Sequence, residues 1–108
     1  VVDAANAPPA ALLETPPSSP DAALGQGIFL ANCASCHGRD GAGGGPIETI
    51  PESPPLSDAV RRKTAAELSY RIAYGVAGTP MPAFAGTLTR DERWALVAYL
   101  RERWATGP

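Results

Sequence analysis

The chain's apolar positions fall into three periodic segments separated by stretches with no period. In the first, Ser19-Pro20-Asp21 supplies a capping residue, a proline suited to the first helical position and an early acid that complements the helix dipole. Leu24, Ile28 and Ala31 then recur at helical spacing with Phe29 beside them, which predicts a helix running to Asn32. Gly25 and Gly27 inside it cost about 1 kcal/mol each relative to alanine, so a close helix crossing is expected at one of them. In the second segment, Ser57-Asp58-Ala59-Val60 predicts a short helical turn ending near Arg61-Arg62-Lys63. Thr64-Ala65-Ala66-Glu67 then reads as a capping box, Leu68, Ile72 and Ala73 share one helical face, and Gly75 ends the helix. The third segment opens on another capping box, Thr89-Arg90-Asp91-Glu92, and runs to about Trp104. Trp94, Val97, Ala98 and Arg101 form one stripe of this helix and Leu96, Tyr99, Leu100 and Arg103 another, so it must pack on something large. The 20–33 helix is the expected partner, with Gly25 letting Leu96 and Tyr99 approach over Phe29.

The stretches between have their own character. Residues 1–19 are rich in Ala, Pro and Ser and read as an extension or linker, either an inert tail or a tether, with Leu12 and Leu13 available to pin it to the surface. Residues 20–108 are then the domain proper. After His37 the run Gly38-Arg39-Asp40-Gly41-Ala42-Gly43-Gly44-Gly45-Pro46 lacks the strand before it and the Lys-Ser/Thr ending of a phosphate loop, so it reads as an irregular loop. Prolines at 46, 51, 54 and 55 exclude a regular helix through that region. With twelve prolines and eleven glycines among 108 residues, long loops and few long elements are expected. A chain this short has a marginal apolar core unless something else contributes to it.

The chemistry concentrates in Cys33-Ala34-Ser35-Cys36-His37, which holds both cysteines and the one histidine. A zinc site would need a second pair of ligands from Cys or His, and the chain has none. A thioredoxin-like dithiol belongs at the end of a strand that opens a helix, and nothing upstream of Cys33 reads as a strand. A disulfide between the two would close a very small loop and stabilise almost nothing. Heme attachment suits the spacing: two thiols three apart add across the two vinyl groups of one heme, and the imidazole that follows turns onto the iron as the proximal ligand. Such a heme would supply the missing core. A redox dithiol stays as an alternative that absence of a covalent chromophore would revive.

Gly78-Thr79-Pro80-Met81-Pro82-Ala83-Phe84 carries the one methionine between two prolines, in a stretch that must be extended. A lone methionine is usually core filler. Here enough chain separates it from His37 to reach the opposite heme face, and a thioether is a soft ligand that suits low-spin heme iron. Met81 is therefore the expected distal ligand. Leu68, Ile72 and Phe84 are expected to line the heme pocket and exclude water, and Tyr70 and Arg71 are candidates for the heme propionates as against an exposed face.

On these residues the chain resembles the class I cytochromes c of bacteria over residues about 20–105. The matched features are Gly25 and Phe29 ahead of Cys33-Ala34-Ser35-Cys36-His37-Gly38, the Met-Pro-Ala-Phe at 81–84, and the terminal helix with Trp94 and Tyr99. The resemblance implies an all-α fold of three to five short helices and long Gly/Pro-rich loops wrapped around one covalently bound heme c. It implies that the first and last helices cross near a right angle at Gly25, Phe29, Leu96 and Tyr99. It also makes Pro46 the residue whose carbonyl accepts the Nδ1 proton of His37.

A six-coordinate iron with two protein ligands has no open position, so the expected function is one-electron transfer and not catalysis. The alternative with the same chemistry is a heme domain tethered to an oxidase, reductase or dehydrogenase. An open-site enzyme or sensor would need Met81 not to ligate, and no second histidine or acid–base pair is in view. Expected partners are redox proteins, met transiently through a small contact. Net charge −2 gives no electrostatic case for nucleic acid. No apolar run approaches the roughly 18 residues of a membrane span, and the chain opens without a signal-like segment. Heme attachment through thioethers takes place outside the bacterial cytoplasm, so the periplasm or the outer face of the cytoplasmic membrane is expected, with a leader or anchor upstream.

Overall fold

The crossing of the first and last long helices positions everything else. The computed structural model describes residues 9, 12–39, 41, 56–76 and 81–105. Among these are five α-helices and no strand: α1 (Ala22–Asn32), α2 (Ala34–His37), α3 (Leu56–Arg62), α4 (Ala65–Tyr74) and α5 (Arg90–Leu100), followed by a π-helical turn, Arg101–Ala105. The all-α architecture is the one expected.

Helix α1 begins two residues later than Ser19-Pro20 suggested. Asp21 is its N-cap, and one carboxylate oxygen accepts from the Ala23 and Leu24 N–H groups at 3.1 Å each. A carboxylate answers two orphan donors at once and adds charge at the positive end of the helix, which a serine hydroxyl does not. The buried face is Gly25, Ile28 and Phe29, while Leu24 and Ala31 face outward. The stripe is thus rotated toward Gly25 relative to the Leu24, Ile28, Ala31 pattern.

That rotation brings α1 onto α5. A Cβ at Gly25 would lie 2.6 Å from the Ala95 carbonyl carbon and 2.9 Å from Tyr99 Cβ, so backbone rests on backbone at the crossing. Gly27 has nothing within 4 Å and plays no part in it. Phe29 is completely buried, and Trp94 and Leu96 are 1 % exposed. Burying side chains of this size contributes on the order of 2 kcal/mol each.

The rings of Phe29, Tyr99 and Trp104 form a cluster, with centroids 5.6 Å (Phe29–Tyr99), 5.6 Å (Phe29–Trp104) and 5.9 Å (Tyr99–Trp104) apart. Trp104 comes from the π-helical turn, whose wider winding continues α5 to the length its pattern predicted. Gly41, at φ +71°, lies under the same indole: a Cβ there would sit 2.6 Å from a ring carbon. The Gly41 carbonyl accepts the Leu56 N–H at 2.7 Å and so ties the start of α3 to this point.

Thr64 caps α4 by accepting the Glu67 N–H, while the Glu67 carboxylate lies 3.5 Å from Lys63. The box at Thr89 is complete in both directions: Glu92 N–H to the threonine hydroxyl, and Thr89 N–H to the Glu92 carboxylate. Ahead of α1 the chain lies against α4 and α5. Leu12 and Leu13 are exposed and do not pin it; Glu14 does, through Ser69, Arg90 and Arg93.

Candidate functional site

The end of α1 delivers the chemistry. Cys33 N–H donates to Phe29 O at 2.8 Å, and the Asn32 side-chain amide bends back to Ile28 O. Cys36 and His37 N–H groups then both donate to Cys33 O, at 3.2 and 3.0 Å, which closes α2 as a single turn. Gly38, at φ +80°, stops it by donating to Ala34 O. Two thiols and one imidazole therefore project from one turn fixed to a helix that packs on α5.

Both cysteines are free and half-buried. Burial, and then the neighbouring Cys36, push the Cys33 thiol up to about 11. A redox or catalytic thiol needs a shift in the other direction, so the dithiol alternative is disfavoured. Burial lowers the pKa of His37 and keeps its imidazole neutral, the form that binds metal. His37 Nδ1 is buried with no hydrogen-bond partner among the described residues. Its expected acceptor, the carbonyl of Pro46, lies outside them, as does the loop from Ala42 to Pro55. No group of three or more Cys, His, Asp and Glu among the described residues could hold a metal ion. One imidazole, two thiols three apart and one remote thioether do not make a protein-only metal cage. They do fit a porphyrin iron, which brings four equatorial ligands of its own.

Met81 stands in a coil after α4, half-buried. Gly75, which caps α4 at φ +78°, is also its seat: a Cβ at Gly75 would lie 2.7 Å from the Met81 carbonyl oxygen. Beyond it the chain returns along α4, with Phe84 N–H to Ile72 O at 3.0 Å and Ala85 N–H to Ala73 O at 2.9 Å. A turn follows in which Thr87 and Leu88 N–H groups both donate to Phe84 O. Arg93 then holds the far end by donating from Nη1 to Leu88 O at 2.8 Å.

Of the expected pocket residues, Leu68 and Ile72 are buried in the core cluster and Phe84 packs against it, so the fold brings all three together. Tyr70 and Arg71 are half-buried beside them on α4. The Arg71 guanidinium lies 5.3 Å from the Tyr70 ring centroid, and Tyr70 packs on Tyr74 at 5.0 Å. Two basic runs far apart in sequence also meet: α3 packs on the π-helical turn, and Arg61 Nε donates to Trp104 O at 3.1 Å. Arg61 and Arg62 thereby stand at the same end of the molecule as Arg101 and Arg103.

Two features escaped sequence reasoning. One is the seat that Gly75 makes for Met81, since its role as a helix stop already explained it. The other is the Glu14–Arg93 contact. Arg93 is one of four consecutive charged residues that open α5, so nothing in the sequence marked it as the one only 8 % exposed.

Comparison with known proteins agrees with this fold. The family described as cytochrome c oxidase, cbb3-type, subunit III, matches residues 20–100. A cytochrome c6 of Tetradesmus obliquus is 35% identical over 96 residues, 79% of this chain and 93% of that protein. Among solved structures, the c-type cytochrome NirC superposes with a TM-score of 0.59 at 34% identity, over 74% of this chain and 87% of that one. A chain of the Kuenenia stuttgartiensis reducing HAO-like protein complex superposes with a TM-score of 0.66 at 27% identity, over 85% of this chain and 47% of that one.

Proposed function

Because the chain belongs to the class I c-type cytochromes and carries one covalently bound heme that transfers electrons, we propose that Cys33 and Cys36 hold this heme, with His37 and Met81 as its two axial ligands. The observation that carries the reading is the single turn α2, which projects both thiols and a neutral imidazole from one short stretch of backbone. When bound, the heme supplies an iron that gains and loses one electron without changing ligands.

The protein's own part is to hold, orient and dry the site. His37 is anchored through its backbone to Cys33, and Met81 is seated on Gly75. Leu68, Ile72 and Phe84 form an apolar wall that favours the less charged, reduced state. Pro46 is the proposed acceptor for His37 Nδ1–H, and Tyr70 and Arg71 are proposed propionate contacts.

The proposed role is electron delivery between respiratory or periplasmic redox proteins, in the periplasm or at the outer face of the cytoplasmic membrane, through transient contacts. Among the described residues no helix is long and apolar enough to cross a membrane. A second reading, the same domain as a tethered subunit of an oxidase, reductase or dehydrogenase, is favoured by the oxidase subunit that names the matching family.

Replacement of the distal ligand tests the assignment. Met81→Ala should lower the reduction potential by a sizeable part of the roughly 0.8 V over which axial ligands tune heme. It should also abolish the weak far-red sulfur-to-iron absorption band of the oxidised protein. An unchanged potential would remove Met81 from the site.

A further inference from the structure

We infer that Glu14, in the proline-rich stretch ahead of α1, is a positioning residue for Met81. It holds Arg93, and Arg93 holds the end of the segment that presents the methionine. The inference rests on the reading of Met81 as the distal ligand.

Arg93 is 8 % exposed in the first turns of α5. Its Nη1 donates to Leu88 O at 2.8 Å, and its Nη2 lies 3.3 and 3.4 Å from the two carboxylate oxygens of Glu14. The Ser69 hydroxyl on α4, 1 % exposed, donates to the same carboxylate at 3.3 Å. Arg90 adds its Nε at 3.6 Å and donates to the Thr15 carbonyl. One acidic side chain thus joins the N-terminal stretch to α4 and α5. Among the described residues Glu14 is the only carboxylate paired with Arg93.

A guanidinium buried to this degree keeps its place only while it is paired. Without the Glu14 charge, Arg93 gains by turning toward water, and Leu88 O loses its donor. Leu88 closes the turn on Phe84, and Phe84 and Ala85 bind the backbone of α4. Side-chain burial holds this segment at Leu88, which is 7 % exposed in the core cluster, and in part at Phe84, which packs against that cluster, whereas Met81 is half-buried and Pro82, Ala83, Ala85, Gly86 and Thr87 are exposed. Between Met81 and that buried end the position is set by directional bonds, and the Arg93 bond to Leu88 O is a side-chain one among them. The thioether is a weak, neutral ligand, so its occupancy follows the position of the segment.

The test uses the full-length, heme-loaded protein in its oxidised form. Imidazole is titrated against the far-red sulfur-to-iron band, with far-ultraviolet circular dichroism as the control for folding. Glu14→Gln keeps the side-chain size and the acceptor for Ser69 but removes the charge. It should bind imidazole at least about fivefold more tightly than wild type, the scale of a partly exposed ion pair coupled to a two-state segment. The helical signal should be unchanged. Arg90→Gln, which touches Glu14 but not Leu88, should stay within about twofold of wild type. If Glu14→Gln yields too little folded protein, Glu14→Asp, shorter by one methylene, should move affinity in the same direction by less. Wild-type imidazole affinity in the glutamine variant, or in the aspartate variant used in its place, overturns the inference. A wild-type protein that lacks the far-red band and binds imidazole as tightly as Met81→Ala overturns the ligand assignment itself, and the inference with it.

Discussion

Cys33, Cys36 and His37 extend a helix whose Phe29 is completely buried against α5, whereas Met81 stands in a coil whose neighbours from Pro82 to Thr87 are exposed or half-buried. The first half of the site is held by bulk packing. Backbone touches backbone at Gly25, three rings cluster behind it, and the attachment turn is closed by its own amides. The second half is held mainly by separate contacts, namely the Gly75 seat, two amides on α4 and the Arg93 donor at Leu88, with packing confined to Leu88 and Phe84. Packing fails cooperatively and late, while a segment held by a few partly exposed bonds opens on its own at lower cost. Loss of Met81, the proposed distal ligand, should therefore precede global unfolding.

The largest expected effect is on the packed half. Phe29→Ala should cost about 3–5 kcal/mol, read as the midpoint of thermal or urea unfolding of the heme-loaded protein. Gly25→Ala comes next, at about 3 kcal/mol, because the obstacle is the Ala95 backbone and no flexible side chain can yield. A Gly25 variant as stable as wild type would show that the helices do not cross there. Neither change should detach the Met81 ligand before the protein melts.

Smaller effects sharpen the contrast. Thr89→Ala removes the cap of α5 just beyond the Met81 segment and should cost about 1 kcal/mol in urea unfolding. Gly27→Ala has the opposite sign. With open space around it and no strained backbone, it should stabilise by up to about 1 kcal/mol, so the two glycines of one helix respond oppositely.

Local pattern made much of the molecule legible. The helices of α4 and α5 follow from capping residues and 3.6-residue periodicity within one window of sequence, and a crossing at Gly25 was foreseeable because a close contact offsets the cost of a mid-helix glycine, although Gly27, with open space around it, carries the same signal without a contact. The Cys33–His37 turn, proposed as the attachment site, stood out in the sequence because the chemistry proposed for it depends on spacing within five residues. The start of α1 was misplaced because Ser19 and Asp21 are both good caps, and the better-charged acceptor prevails. The buried face of α1 was misjudged at Leu24 because periodicity gives a stripe, while the partner helix decides its centre.

What the sequence determined by itself, then, is the set of helices and the Cys33–His37 turn from which a heme site is proposed, since both rest on contacts between near neighbours in the chain. What only the tertiary structure decided is how distant residues share work. Gly75 serves Met81, Trp104 covers Gly41, and Glu14 reaches Arg93 across 79 positions. The physical reason is that a buried charge or a close backbone approach has no local signature: its partner is chosen by the packing of helices, and nothing in the partner's own neighbourhood of sequence records that choice.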